Sequence, residues 1–486
     1  MRTFTENNYL IQQIPCLMNF CKKTPQRRLF SLVYLSFLLL FSTSSFAQNE
    51  LETEFLQSGP MVGYSEMKEV GLWVQTKKSA KVQIAYRPKL DLATEKAISD
   101  APFQFTEAIQ TNSLTAFVAK PVLKNLEHST KYEYKVFIDN QEISFEYELK
   151  CQTQLLWQFR TDPPKIKFAF GSCVYVNEEK DDRPGKGYGS EYEIFTSLYK
   201  ENVDFMVWGG DNTYLRDPDW GSRSGIMHRY THTRSLPEMQ PLLAGIHNYA
   251  TWDDHDFGPN DSDYTFWNKD ITTEAFQLFW HSQNTDNIEG ANDVVSTFAW
   301  GDVQFFMLDN RTFRQSQDYE AENKSYFGEK QAQWLIESLI ASKATFKFVV
   351  AGGQILNESA IFENYATYPE ERQKILDAIQ KQNIEGVIFL TGDRHHSVIT
   401  KMERENEYPL YDFTSSSLTA GSAIPIKDEN PTAIKDSFIV GKHNYAVIEI
   451  EGKRKERILT LTYKNKDGKD LYSLKIKEEE LKRVKK

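Results

Sequence analysis

Four short segments carry the side chains best suited to chemistry: Gly171-Ser172-Cys173, Gly210-Asp211-Asn212-Thr213-Tyr214, Trp252-Asp253-Asp254-His255-Asp256 and Gly392-Asp393-Arg394-His395-His396. Each follows a run that reads as a buried strand. The carboxyl ends of strands are where an open α/β sheet gathers distant parts of a chain into one crevice. A thiolate, carboxylates, a phenol and imidazoles meeting there would make a metal centre. Read singly, each segment is an ordinary polar loop; four donor-bearing strand ends in one chain need a common cause.

The elements that must position these groups come in two stretches. Residues 51–163 read as all-β: the runs 72–76, 81–86, 115–119 and 132–138 are short, rich in β-branched and aromatic residues, and separated by turn residues. Leu126, Thr130, Tyr132, Tyr134 and Val136 resemble the tyrosine-corner segment of a fibronectin III-like sandwich. Asp162-Pro163-Pro164 marks a boundary, since consecutive prolines end strand pairing. Strands then alternate with helices: strand 165–170, helix 192–201, strand 203–208, a hairpin over 298–309, helix 329–342, strand 346–351, helix 370–382 and strand 386–391. That alternation predicts an α/β domain with layered, largely buried sheets flanked by helices. The Lys- and Glu-rich residues past 471 read as a solvated helix. The expected organisation is a leader (1–47), a β-sandwich domain (48–163), a catalytic domain (164–475) and a charged tail (476–486).

The chain of 486 residues, with 40% hydrophobic and 13% aromatic residues, has ample material for folded cores, so global disorder is excluded. Arg27-Arg28, the apolar run 29–41 and Ser45-Phe46-Ala47 have the three parts of a secretory signal peptide with cleavage after Ala47. The arginine pair also fits a twin-arginine signal in part. The expectation is a periplasmic or secreted protein with no transmembrane segment in the mature chain. Loss of this leader, with five basic residues and one acid, takes the formal charge from −11 to −15. So acidic a protein is not expected to bind nucleic acid, which needs clustered Lys and Arg. Of four cysteines, Cys16 and Cys21 lie in the leader, which leaves Cys151 and Cys173. Cys173 is expected to be free, because it ends a strand beside the other donors.

In order, the motifs G-S-C, G-D-x-x-Y, W-D-D-H-D, L-D-x-R and G-D-R-H resemble those of the calcineurin-like metallophosphoesterases, most closely their PhoD-type alkaline phosphatase branch. The resemblance runs from about residue 168 to 417 and extends more loosely to a preceding sandwich domain. It implies an α/β metallophosphoesterase fold and hydrolysis of phosphomonoesters or phosphodiesters at a binuclear centre. Carried onto this chain, it puts one metal on Cys173, Asp211, Tyr214 and His395 and the second on Asp211, Asp254 and Asp393, with Asp211 bridging. His255 takes the catalytic role, contacting the phosphate or protonating the leaving group, and Asp211 is counted with it. Asn212, Arg311 and His396 are the expected substrate contacts, with Arg314 a further candidate. Anionic sulfur and oxygen donors outnumber imidazoles, which favours Fe3+ beside Ca2+. Asp253 reads as an orienting partner. The superfamily's middle histidine is missing: the strand 346–351 runs into Gly352-Gly353-Gln354, and Gln354 is the candidate replacement. The segments 175–190 and 218–234 are expected to shape the mouth. Two rival readings stand beside the phosphatase: a phospholipase D-like phosphodiesterase, and a non-catalytic surface-binding protein. The expected partner is a small phosphate ester.

Overall fold

The structure is a computed structural model and describes residues 54–99, 101–282 and 294–483; the leader and its cleavage site lie outside these. Two mixed sheets pack face to face. The larger has ten strands, and its centre is three parallel strands, Ile166–Gly171, Phe205–Gly209 and His247–Thr251. The second has six, built on the parallel strands Val303–Met307, Phe346–Ala351, Val387–Thr391 and Leu410–Thr414. These central strands are buried on both faces, which is why they read as near-continuous apolar runs. Between the sheets Phe168 stacks on Phe205 at 5.1 Å and meets Phe305 and Phe348 of the opposite sheet edge-on at 5.1 and 5.3 Å.

Helices cover both outer faces. Glu329–Ala341 buries Ala332, Leu335, Ile336 and Leu339 at the three- and four-residue spacing of one helical stripe. Pro369–Lys381 begins with proline at a position where no backbone donor is lost, and buries Ile375, Leu376 and Ile379. The observed strands and helices after residue 163 lie within about two residues of the expected ones, while the expected strand 81–86 extends to Asp91 and 115–119 shortens to Val118–Ala119.

One expectation is corrected. The residues past 471 are not a solvated helix: Asp470–Lys477 is a strand at the edge of the ten-stranded sheet, followed by a 3-10 turn over Glu478–Leu481; Ile476 and Leu481 are buried, and Gly386 N–H donates to Leu481 O at 3.1 Å. The charged residues occupy its exposed side while alternate positions face the sheet. The N-terminal region has a core of its own. It does form a sandwich, with Leu56–Ser65 and Val70–Thr76 facing a seven-stranded sheet through Val62, Leu72, Val82, Ile84 and Val136. However, Leu56–Ser65 also pairs in parallel with His247–Thr251, so one sheet runs through both regions. From Glu54 to Lys486 the chain is one compact unit. The Tyr132 hydroxyl accepts from Glu127 N–H at 2.8 Å, as a tyrosine corner requires.

His247 and His281, which the sequence left without a role, fasten this junction. His247 uses both ring nitrogens: Nδ1 bonds Gly63 O at 2.9 Å and Nε2 accepts from Gln152 N–H at 3.2 Å, which only the neutral ring can do. His281 Nδ1 bonds Leu72 O at 2.8 Å, and its carbonyl accepts from Tyr64 N–H. Burial lowers their pKa values to about 4 and about 3, against about 6.5 in an unfolded chain. Between those values the unfolded chain holds more protons, so stability falls as pH drops from about 6.5 towards 4. Each histidine contributes a slope of about 1.4 kcal/mol per pH unit. In denaturant titrations at pH 6 and pH 5, His247→Gln should flatten the pH dependence by about that amount; equal slopes in variant and wild type would rule the mechanism out.

Candidate metal centre

The register of the parallel strands sets the site. Gly171 pairs with Trp208 and Gly209 with Thr251, so three strands of the larger sheet end side by side and release Cys173, Asp211 and Asp254 at one edge. Val387–Thr391 of the facing sheet ends at the same edge and delivers Asp393 and His395. These donors leave their strands abruptly. Cys173, Asp211, Asp393 and His395 all adopt positive φ, between 52° and 66°, a left-handed conformation that costs a non-glycine residue about 1–3 kcal/mol and is held only by its surroundings.

Donor atoms of Cys173, Asp211 and His395 lie within 4.8 Å of one another, as do those of Asp211, Asp254 and His255, and those of Asp254, Asp261 and Glu363. Asp211 belongs to the first two groups and Asp254 to the last two, so the donors form a continuous chain. The Tyr214 hydroxyl stands 3.1 Å from Asp211 Oδ2 and 2.9 Å from His395 Nε2, and the Cys173 thiol is 3.6 Å from Asp211 Oδ2. Asp393 lines the same cavity of about 380 Å³ with Asp211, Asp254, His255 and His395, although it falls in none of the three tight groups. His255 stacks on Tyr214 at 4.2 Å, and its Nε2 lies 3.9 Å from Asp254 Oδ2.

Electrostatically this is an unstable arrangement for protein atoms alone. Burial pushes the Asp211 carboxyl well above its usual range, and Asp254, Asp253, Asp256 and Asp393 push it further. Burial, then Asp211, does the same to the Cys173 thiol, and burial, Asp211 and Cys173 to the Tyr214 phenol. Burial also lowers His395 to about 4, so its ring is neutral and able to donate a lone pair. Asp254 Oδ1 and Asn212 Oδ1 are buried without a hydrogen-bond partner among the described residues, which ordinarily costs about 1–3 kcal/mol each. Thiolate, carboxylate, phenolate and neutral imidazole around orphaned acceptor oxygens is the donor set a cation would satisfy. The residues therefore fit a metal centre.

The three expected substrate contacts do not present themselves as such. Arg311 is 1% exposed. It bonds Asp253 Oδ1, donates from Nη2 to Glu363 Oε1 at 2.8 Å, and lies 3.7 Å from Asp254 Oδ1. Arg314 pairs with the other Glu363 oxygen at 2.7 Å. His396 is buried against Phe438, with Nε2 3.9 Å from Glu429. Asn212 is buried and gives its amide N–H to Thr251 O at 2.7 Å. Sequence spacing cannot tell the two faces of a tight turn apart, and these three side chains turn inward. Gln354 is corrected too: its amide is consumed by Thr414 and Asn357, each at 2.9 Å. The Gly352-Gly353 pair has another reason to be there, because a Cβ on Gly352 would lie 2.3 Å from Asp253 Cγ. That close approach seats the Asp253 side chain, held by Arg311 and by Asn310 Nδ2 at 2.8 Å.

Sequence reading missed Tyr188, whose hydroxyl is 2.9 Å from His395 Nδ1, and the carboxylates Asp261 and Glu363. Tyr188 lies in the Gly-rich segment already assigned to the mouth; Glu363 carries no motif. A fourth acidic group, Glu178, Asp181 and His228, is spent on ion pairs, with Arg229 2.8 Å from Glu178 and 3.3 Å from Asp181. Cys151 and Cys173 are both free.

The sequence model of the PhoD-like phosphatase family matches residues 168–463, spanning every donor described above. The chain belongs to this family. Residues 53–156 match a domain of unknown function, DUF7800. Alkaline phosphatase D of Bacillus subtilis (strain 168) is 23% identical over 365 residues, covering 63% of this chain and 60% of that relative. A solved structure of PhoD superposes with a TM-score of 0.66 at 17% identity, covering 87% of this chain and 92% of that one; the PhoD fold thus extends across both the N-terminal sandwich and the catalytic sheets. No helix of the described residues is long and apolar enough to cross a membrane.

If Arg311 is the counter-charge beneath the carboxylates, Arg311→Ala should destabilise the fold by about 3–5 kcal/mol, because Asp253 and Glu363 are left buried without their partner. Denaturant unfolding measures this. A raised KM with unchanged stability would instead return Arg311 to the substrate.

Proposed function

We propose that this chain is an exported metal-dependent hydrolase of phosphoric esters, acting on phosphomonoesters and phosphodiesters at a binuclear centre. Membership of the PhoD-like phosphatase family supports the reaction class. The observation that carries the reading is the crowding of Cys173, Asp211, Tyr214, Asp254, Asp393 and His395 at one strand edge, with Asp211 shared between donor groups. The leader ending at Ala47 supports export to the periplasm or medium.

Cys173, Asp211, Tyr214 and His395 would hold the first ion, and Asp211, Asp254 and Asp393 the second. Three anionic donors of mixed sulfur and oxygen character favour Fe3+ in the first position, and an all-carboxylate set favours Ca2+ in the second. When bound, the two cations supply positive charge for the phosphoryl oxygens and an acidified water for in-line attack.

The protein's own groups do the rest. His255 stands at the wall shared by the metal cavity and the cavity beyond it, in position to donate a hydrogen bond to the phosphoryl group or the departing oxygen. Burial lowers its pKa, so the free ring is neutral at alkaline pH and still carries one N–H. Tyr188 and Tyr214 grip both nitrogens of His395 and fix its ring plane. Arg311 keeps Asp253 ionised and turned away from the donors, which leaves Asp254 to face them.

Elemental analysis of protein purified without chelators, paired with p-nitrophenyl phosphate and bis-p-nitrophenyl phosphate assays, tests this. Wild type should carry iron and calcium and turn over at least one ester. Asp211→Asn should lose both ions and nearly all turnover with its circular dichroism unchanged; full activity in that variant would sink the mechanism. His255→Ala should keep both ions and lose about 10²–10⁴-fold in kcat. Bound metal with no turnover of any ester would favour a binding protein.

A further inference from the structure

Beyond His255 and Tyr214, away from the donor cluster, lies a second cavity of about 650 Å³. It shares Tyr188, His255 and Asn260 with the metal cavity, so the two adjoin. A phosphoryl group held at the metals would fill only the smaller one. Four aromatic side chains, Tyr175, Tyr188, Tyr214 and Trp220, line the larger space. Three of them are locked together: Tyr175 meets Tyr188 edge-on at 5.0 Å and packs at 5.1 Å against Tyr214. The Arg216 guanidinium lies 4.3 Å over the Tyr175 ring and reaches Val176 O at 2.6 Å and Asp182 Oδ1 at 3.1 Å. The Tyr175 hydroxyl donates to the same Asp182 oxygen at 2.9 Å. These contacts join the 175–190 segment to the 214–220 segment, so the walls are formed before any ligand arrives. The volume lies in the range of small-molecule sites, and aromatic walls with a few fixed polar groups are their usual lining.

Resting on the hydrolase reading, we propose that this cavity is the leaving-group subsite and that it takes an alcohol bearing a planar heteroaromatic ring of about nucleoside size. Ring faces and edges on Tyr175, Tyr188 and Trp220 suit a flat π system, by offset or edge-on stacking. Asp217 offers an acceptor for ring N–H groups, and Arg183 and Lys186 offer donors. His255 stands between the two chambers, where the scissile bond must cross. In the step itself the bond from phosphorus to the ester oxygen breaks as one from phosphorus to water oxygen forms. The proton released by water balances the one gained by the departing alcohol, giving free alcohol and phosphate with no redox change.

Adenosine 5′-phosphate, glucose 6-phosphate and glycerol 1-phosphate all release a primary alcohol, so intrinsic reactivity is matched and the subsite decides. With the metal-loaded full chain, kcat/KM for the adenosine ester should exceed both others by about tenfold or more, the worth of one good aromatic contact. Adenosine should inhibit hydrolysis of glycerol 1-phosphate competitively at concentrations where glycerol and glucose do not. In Trp220→Ala the ratio of kcat/KM for the adenosine ester to that for glycerol 1-phosphate should fall towards one; the inhibition experiment needs no variant and stands if this one fails to fold. Equal kcat/KM for the three esters without adenosine inhibition overturns the subsite and leaves the hydrolase reading intact. A preference for the glucose ester overturns the ring assignment. No turnover of any ester with both ions bound overturns the hydrolase reading and the subsite with it.

Discussion

The rest of the structure is organised around one electrostatic burden: a thiol, a phenol and several carboxyls that repel one another when ionised are packed within a few ångströms in a place with little water. Burial and mutual repulsion act in the same direction on Asp211, Asp393 and Cys173, each raised above its ordinary range. No flexible loop would hold such groups together, since it would relax by swinging them apart. Here each donor sits within five residues of a strand end buried on both faces, and the strands are clamped by the aromatic layer of Phe168, Phe205, Phe305 and Phe348. The left-handed backbone at Cys173, Asp211, Asp393 and His395 has the same origin. A donor must turn back over the strand edge at once to reach its neighbours, and packing around it sustains the unfavourable φ.

The same burden explains why the polar groups just outside the donors are so fully engaged. Asp256 accepts from the backbone N–H groups of Asn212 and Asp253, each at 3.1 Å, which ties the second motif to the third. Ser416 Oγ donates to Cys173 Sγ at 3.1 Å and accepts from His395 N–H at 3.0 Å, which ties the first to the last. These bonds link segments more than forty residues apart, and they set donor spacing in a way that strand register alone does not.

How far this was readable from the sequence divides along physical lines. The strand ends and their donors were legible, because buried parallel strands are continuous apolar runs and the residues following them are short polar motifs. The orientation of side chains was not. Asn212 and His396 each lie beside a donor in sequence and Arg311 follows a strand end, yet each points into the protein, and spacing in a turn does not reveal which neighbour faces the cleft. Glu363 and Asp261 come from two separate loops, and Glu363 is placed by ion pairs to Arg311 and Arg314, long-range contacts without a local signature. The sheet shared between the N-terminal region and the catalytic domain was hidden for a related reason. Alternation identifies Leu56–Ser65 as a strand but not its neighbours, and this one pairs with His247–Thr251 across some 180 residues. The C-terminal strand Asp470–Lys477 looked helical because its exposed lysines run on into Glu478, Glu479 and Glu480; lysines at an edge keep other chains from pairing there.

Substrate attraction is the last consequence of the charge distribution. A chain with a formal charge of −11 repels a phosphate ester at long range. The cations nearest the donors do not offset this. Arg311 and Arg314 are neutralised by Asp253 and Glu363, Arg394 is paired with Glu429 at 2.8 Å, and burial keeps His255 and His395 uncharged at neutral pH. Under the proposed reading, the charge that recognises phosphate is then supplied by the bound ions, and the arginines serve to hold Asp253 and Glu363 in place beside the donors. Removing positive charge from this network would therefore act first on the geometry of the carboxylates and only through them on the substrate.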